Sequence, residues 1–383
     1  MQPEGERETI SARIWIAGGG TGGHVYPGLA VVQALADEAI ANRAPEKIEL
    51  LYVGGEGGIE ERLAARAGLR FVGVPAGGIH GLAPWRAVWN LTRLLQGWWS
   101  AYRLGRRERP AALFATGGYA SLPVALAACV LRVPILVYLP DVEPGWAVRF
   151  IARLATRVAV TVEDSRACLP ARKVIVTGYP VRAEFHTINR AGARASLGLP
   201  PEEPVLLVMG GSRGARSINQ ALSEVLEHVL ELAHVIHVSG ELDWPAVARR
   251  REALPEALQA RYRAFPYLHE IGLALAAADL ALCRAGASAL GELPFFGLPA
   301  VLVAYPYAWR YQRVNAEWLV RRGAAVRLDA AWMGEELLPM LFRLLTDRAG
   351  LSGMQSRARA LARPDAAARL AQELCRLARR SAT

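Results

Sequence analysis

The sequence predicts an α/β protein of two doubly wound, Rossmann-like domains facing across a cleft. Three observations lead there. Short apolar segments alternate with helix-like ones along the whole chain, the order that builds a parallel sheet covered on both faces. A glycine cluster follows the first apolar segment of each half, at Gly18–Gly23 and again at Gly210–Gly214. The length, 383 residues, accommodates two to three domains of about 150 residues each.

In the first half, Ile14–Ala17 reads as a strand that runs into GGGTGGH (18–24) and then a helix from Pro27 to Glu38. Ile48–Val53 is the next strand, ahead of Gly54 and Gly55, and Ala111–Ala115 follows, ahead of Gly117 and Gly118. Ile135–Leu139 and Val158–Val162 continue the sheet. The second half restarts with Pro204–Met209 as a strand, Gly210–Gly214 as its turn and Ser217–Leu232 as its helix. Strands at Val235–Val238, Leu280–Cys283 and Ala300–Val303 come after it. The stretch Thr187–Glu203 is rich in Ala, Arg, Gly and Pro, so the hinge is expected near Arg182–Pro204, dividing the chain into domains 1–185 and 186–363. Pro364 is placed to start a last, arginine-rich helix, Asp365–Arg380, and the segment 364–383 is expected to pack back on the first domain.

Composition narrows the partners. The net charge of +10 comes almost wholly from arginine, since Lys47 and Lys173 are the only lysines. Basic residues outnumber acidic ones by 21 to 16 through Phe185 and by 24 to 19 beyond it, so the excess is even. That suits an anionic small molecule or a membrane surface, whereas nucleic acid calls for a concentrated stripe and is not an expected partner. The apolar runs Leu122–Leu131 and Val133–Pro140 are split by Arg132 and fall short of the roughly 20 residues a bilayer span needs. Met1–Ile10 is acidic and has no apolar core with a cleavage site, so a cytoplasmic protein is expected. Cys129, Cys168, Cys283 and Cys375 lie far apart, without a C-x-x-C pair or a zinc-site histidine spacing, so neither a disulfide framework nor a metal is expected.

Gly18, Gly20 and Gly23 satisfy G-x-G-x-x-G at a strand-to-helix turn, where the backbone N–H groups of Thr21, Gly22 and Gly23 can approach a phosphate. A turn that only lets helix and strand pack reads the same way. No acidic residue ends the second strand, and His24 and Val25 occupy the lysine and hydroxyl positions of a P-loop, so neither a nicotinamide nor a P-loop site fits. His24, at a helix start where a neutral imidazole is favoured, is either a proton acceptor or a cap. In GGSRG, Ser212 and Arg213 add a hydroxyl and a guanidinium suited to phosphate oxygens beside Gly211. In RAGASALGELPFFGLP (284–299), Ala287 falls near a helix start and Glu292 points inward, able to accept two hydrogen bonds from a ribose diol; a solvated glutamate is the other reading. From Ile79 to Tyr102, Leu82, Trp85, Trp89, Leu94, Trp98 and Trp99 interleave with Arg86 and Arg93, and Arg103, Arg106, Arg107 and Arg109 follow. This is either an amphipathic core helix or an interfacial one, on which each arginine near an anionic leaflet contributes about 1 kcal/mol. His269–Glu270 lacks the second histidine of a metalloprotease helix.

Together GGGTGGHVYPGLAV (18–31), TGGYAS (116–121), TGYPVR (177–182), GGSRGARSIN (210–219), CRAGA (283–287), GELPFFGLP (291–299) and YQRVNA (311–316) resemble, over nearly the whole chain, the MurG family. These are UDP-N-acetylglucosamine transferases of GT-B fold. The resemblance implies transfer of N-acetylglucosamine, with inversion, from UDP-GlcNAc to a polyprenyl-diphosphate muramoyl-peptide. That step turns lipid I into lipid II in peptidoglycan synthesis, on which cell division and cell shape depend. It implies an enzyme peripheral on the anionic inner face of the cell membrane, with the acceptor taken by domain 1–185 and the UDP-sugar by domain 186–363. Arg182 and Ser212 would meet the donor diphosphate, Glu292 the ribose, Leu268 the uracil through its backbone, and Gln312 the sugar hydroxyls. Gly18–Gly23 and Gly117–Gly118 would face the acceptor diphosphate, with His24 and Tyr119 near the reacting centre. No cofactor is expected and no divalent metal is obligatory, because Arg182, backbone N–H groups and a helix N-terminus meet the charge of departing UDP.

The chain departs from the family where His-Glu-Gln-Asn is usual: Tyr138, Leu139, Pro140 and Asp141 stand there, making Asp141 a rival base or marking another acceptor. Arg213 replaces a usual glutamine, and Tyr311 replaces the His or Gln that commonly precedes Gln312. The competing readings are a related transferase with another lipid acceptor, a UDP-sugar epimerase on the same scaffold, and a nucleotide-sugar-binding protein without catalysis.

Overall fold

The computed structural model describes residues 10–19, 22–41, 47–77, 84–211, 214–305 and 311–382. Thr21, Ser212 and Arg213, singled out above, lie outside them, as do Gly20, Ile79 and Leu82, and the side chains of Trp85, Arg86 and Trp89 are likewise outside the description. The chain forms two compact units, Met1–Ala183 with Pro364–Thr383, and Glu184–Arg363.

The first unit is built on seven parallel strands: β1 (Ile10–Gly18), β2 (Lys47–Gly55), β3 (Arg70–Val74), β4 (Ala112–Gly117), β5 (Ile135–Leu139), β6 (Arg157–Val160) and β7 (Val174–Val176). Their lateral order is β3-β2-β1-β4-β5-β6-β7. The chain therefore runs outward from β1 to one edge, returns beside β1 as β4, and runs out to the other edge. Side-chain alternation along β1 serves both faces. Ile14 and Ile16 pack with Leu35, Tyr52 and Phe114, while Trp15 and Ala17 pack with Leu51, Leu113 and Val137. The last helix, Ala366–Ala382, lays Leu370, Leu374 and Leu377 on the Ile14 face at helical spacing, and so completes the first core rather than the second.

The second unit repeats the plan with β8 (Val205–Met209), β9 (His234–Val238), β10 (Tyr262–Phe265), β11 (Leu280–Arg284), β12 (Ala300–Val303) and β13 (Ala325–Arg327), in the order β10-β9-β8-β11-β12-β13. Its core joins Ile218, Leu222, Leu226 and Val229 of the helix Arg216–Leu232 to Leu337 and Leu341 of the helix Met333–Thr346. Besides four edge strands that the sequence reading did not assign, β3, β7, β10 and β13, two assigned elements have different bounds. The first helix spans Gly22–Ala41, with Pro27 inside it, because the glycine turn winds directly into the helix and puts His24 in its first turn. The strand expected at Val158–Val162 ends at Val160, where Thr161 turns its hydroxyl to the Leu139 and Pro140 carbonyls at 3.2 and 2.9 Å.

Candidate active site

In a doubly wound sheet, the loops leaving the two strands at the order reversal go to opposite faces and open a crevice at their C-terminal ends. In the first unit these loops follow β1 and β4, and each opens on a glycine, Gly19 and Gly118. Gly118, at φ +82°, presses backbone to backbone on Gly19, whose carbonyl oxygen any β-carbon would strike. Short hydroxyl side chains tie the pair together. Thr116 Oγ1 donates to the His24 carbonyl at 2.6 Å, Ser121 Oγ donates to the Ala17 and Gly117 carbonyls at 2.9 and 2.6 Å, and the Tyr52 hydroxyl donates to the Gly18 carbonyl at 3.0 Å.

His24 is half-buried there, its ring against Gly117, where an added β-carbon would come within 3.1 Å of Cδ2. Burial pushes its imidazole below the ordinary 6.5, and the carboxylates of Asp141 and Glu60 push back. The ring is thus neutral and able to accept a proton near pH 7. Asp141 is half-buried on the loop after β5, and Tyr119 is exposed beside Gly118. Two residues beyond His24, the Tyr26 ring lies under the Arg182 guanidinium at 4.4 Å. Of the four residues that depart from the family motif, Tyr138, Leu139 and Pro140 are buried, Tyr138 through a 2.7 Å bond to Thr161 Oγ1, so Asp141 alone is accessible.

In the second unit the equivalent loops follow β8 and β11. Gly211 is exposed at φ +86°, and Gly214 packs against the Ser239 carbonyl. Arg284, at the end of β11, is half-buried; Nη2 donates to Ser217 Oγ at 2.7 Å, and the guanidinium lies 5.2 Å from the centre of the Tyr305 ring. Ala287 opens a short 3-10 turn, Ala287–Leu290, and Glu292 begins the helix Glu292–Phe296. Glu292 is buried, not solvated, and with burial its charge pushes the Cys283 thiol up to about 12. Gln312 Oε1 accepts from the Tyr305 backbone N–H at 2.8 Å, which leaves the amide nitrogen end for a ligand hydroxyl. Asn315 Nδ2 donates to the Ala285 carbonyl at 3.2 Å, bracing the same loop. Leu268 is half-buried in the loop after β10.

Behind the second glycine turn a buried network fixes one histidine tautomer. Asn219 Nδ2 donates to the Ser239 carbonyl and to Asp243 Oδ2, both at 2.9 Å, so Asn219 Oδ1 accepts from His237 Nε2 at 2.9 Å. The opposite nitrogen, Nδ1, then accepts from the Tyr262 hydroxyl at 2.6 Å. Burial lowers the His237 imidazole to about 4. The unfolded chain takes up this proton below about pH 6.5 and the folded one only near 4, so stability is lost as the pH falls through that window. The expected loss is about 3 kcal/mol between pH 7 and pH 4. Urea unfolding at both pH values checks it: the loss should shrink by that amount in His237→Gln, and an unchanged pH dependence rejects the assignment.

The family 28 N-terminal glycosyltransferase domain matches residues 14–160, and its C-terminal domain matches residues 205–370. The chain belongs to glycosyltransferase family 28. A Roseiflexus protein described as UDP-N-acetylglucosamine–N-acetylmuramyl-(pentapeptide) pyrophosphoryl-undecaprenol N-acetylglucosamine transferase is 45% identical over 94% of this chain and 93% of its own length. A Desulforudis audaxviator protein of the same description is 40% identical over 92% of this chain and 95% of its own. The crystal structure of Acinetobacter baumannii MurG superposes with a TM-score of 0.75 at 26% identity, covering 95% of this chain and 99% of that one. A Neisseria meningitidis UDP-GlcNAc 2-epimerase, at TM-score 0.66 and 12% identity over 95% of this chain and 100% of its own, shares the fold alone. These findings bear out the resemblance read from the motifs and the GT-B pair of Rossmann-like units.

Sequence reasoning passed over Glu60 and Tyr26 in the first unit and Arg284, Tyr305 and Asn315 in the second. Tyr26 and Asn315 sit inside quoted motifs, and their spacing from His24 and Gln312 was the available signal. Glu60 had a weaker one: an acidic residue at a helix start after the glycines Gly54–Gly58.

Proposed function

We infer that the chain moves N-acetylglucosamine from UDP-GlcNAc to a polyprenyl-diphosphate muramoyl-peptide, converting lipid I to lipid II with inversion at the anomeric carbon. The observation that carries this is 45% identity, nearly end to end, with a relative named for that transfer. His24 removes the acceptor hydroxyl proton as the oxygen attacks, and Asp141 is the rival for that role. The turn of Thr21, Gly22 and Gly23, with Gly117 and Gly118, receives the acceptor diphosphate, and Tyr119 lines the reacting centre. In the second unit Gly211 and Ser212 take the donor diphosphate on backbone N–H and hydroxyl groups. Glu292 accepts from the ribose diol, Leu268 holds uracil through its backbone, Ala287 offers an N–H, and Gln312 meets the sugar hydroxyls. Arg182, held by Tyr26, supplies a fixed cation for pyrophosphate charge, so the transfer runs without a cofactor or an obligatory metal.

Membrane attachment is peripheral in this reading. No described helix is long and apolar enough to cross a membrane. The helix Pro84–Glu108 buries Leu94 and Ala101 but leaves Leu95 and Trp99 about half exposed, at 55% and 52%, with Arg103, Arg106 and Arg107 exposed beyond them. Apolar and cationic groups side by side suit an anionic inner leaflet on the cytoplasmic side, and not nucleic acid.

Radiolabelled UDP-GlcNAc offered with a panel of acceptors tests the reading. Label should pass to polyprenyl-diphosphate muramoyl-peptide and not to glycerolipids. Transfer to a glycerolipid alone means another acceptor, and conversion of the UDP-sugar without acceptor means an epimerase.

A further inference from the structure

Beneath the first glycine turn lies a carboxylate that the chemistry above leaves without a task. Glu60, the second residue of the helix Ile59–Arg66, is 2% exposed. Charged side chains are almost never buried so deeply unless something holds them. Here the Gly55 backbone N–H donates to Oε1 at 3.0 Å. Three glycines clear the space around it: a β-carbon on Gly19 would strike Oε1, one on Gly58 would crowd the carboxyl group, and one on Gly54 would come within 2.8 Å of Cγ. The carboxylate is thus lodged against the backbone of the turn that leads into His24, and its field reaches that imidazole.

We propose that Glu60 is a positioning residue for the transfer: lodged under Gly19 and held by the Gly55 N–H, it fixes Gly19 beside the loop of Gly118 and stabilises the positive charge His24 gains. The proposal rests on the reading of His24 as base. In the step, the acceptor oxygen forms its bond to the anomeric carbon and its proton passes to His24. The bond from that carbon to the phosphate oxygen breaks, and its electron pair leaves with UDP. Glu60 takes no proton; its negative charge lowers the free energy of forming the imidazolium.

Among the described residues, two carboxylates act on His24. Asp141 approaches from the loop after β5 and Glu60 from the helix Ile59–Arg66. The phenols of Tyr52 on β2 and Tyr138 on β5, which feel Glu60 and Asp141 respectively, are kept un-ionised by burial. Arg182 is stacked on Tyr26. Glu61 turns away to the Gly57 N–H at 3.2 Å. On the helix Ala366–Ala382, packed along Gly22–Ala41, Glu373 pairs with Arg157 and Arg376 at 3.4 and 2.6 Å.

Glu60→Gln in the full chain keeps the shape and the Gly55 acceptor but removes the charge. We expect kcat to fall about tenfold, the acid limb of kcat/KM to move down by about one pH unit, and donor KM and melting temperature to stay put. Glu60→Asp should recover part of the rate. The His24 ring, followed by NMR without substrates, should titrate at lower pH in Glu60→Gln than in the unaltered chain. Two results overturn the proposal: wild-type kcat and pH profile in Glu60→Gln while Glu60→Ala merely melts earlier, or a raised donor KM at unchanged kcat. A wild-type chain that fails to glycosylate the muramoyl acceptor sinks the functional reading instead, and the NMR titration still decides the role of Glu60.

Discussion

His24→Ala should lower kcat by about a hundred- to ten-thousandfold, the range lost with a general base, while UDP-GlcNAc still binds. The ring stands in the first turn of its helix, against Gly117, with its backbone carbonyl clamped by Thr116 at 2.6 Å, so its place is set by the two loops at the order reversal. Burial keeps the imidazole below its ordinary 6.5, so the proton-accepting form prevails at neutral pH, and kcat/KM should rise with pH to a plateau, with the midpoint of the rise below 6.5. Donor affinity should survive because the groups assigned to the UDP-sugar, apart from Arg182, belong to the second unit. Steady-state transfer and donor titration by calorimetry, run together, check both halves. Asp141→Asn is the control. Unchanged turnover in His24→Ala with collapse in Asp141→Asn hands the role to the carboxylate.

The fold was legible wherever a strand is covered on both sides. Such strands are continuous apolar runs, and every strand inside either sheet was found from that signal. The strands missed, β3, β7, β10 and β13, are the four sheet edges. An edge needs no such run: β3 begins on an exposed Arg70, and β13 is three residues long and ends on Arg327. The candidate site was read from signals of the same local kind. Glycine turns, His24 and Glu292 announce themselves in local motifs, because backbone approach and helix starts are local properties. Glu60 did not, because its meaning comes from Gly19, some forty positions earlier in the chain, across the neighbouring strand. On the aromatic helix Leu94 and Ala101 face the core, as the core-helix reading expects, and Leu95 and Trp99 face out, an exposure that sequence periodicity alone did not assign.

Asp279→Ala should destabilise the second unit by about 3–5 kcal/mol. Its partner Arg194, on the helix Arg190–Ser196, is 3% exposed and reaches Asp279 Oδ2 at 2.7 Å. Arg194 also donates to four carbonyls, those of Ala277, Pro200, Pro201 and Glu203, at 3.1, 2.8, 2.6 and 3.0 Å. Burial lowers the Arg194 guanidinium pKa, and the Asp279 charge, with a lesser contribution from Glu202, opposes that shift, so removing the Asp279 carboxylate takes away the buried cation's hydrogen-bonded counter-charge. The same carboxylate accepts from the Val205 N–H at 2.9 Å, where β8 begins, so a strand end is orphaned as well. Arg190, on the outer side of Asp279, is 43% exposed in its side chain, and Arg190→Ala should cost no more than about 1 kcal/mol. Arg194→Met, which removes the charge and keeps the bulk, should fall between the two, since loss of a buried cation is gentler than its isolation. Urea unfolding of the three variants gives the order directly. An Asp279→Ala loss no larger than that of Arg190→Ala would mean that the Arg194 carbonyl cradle alone carries the buried charge.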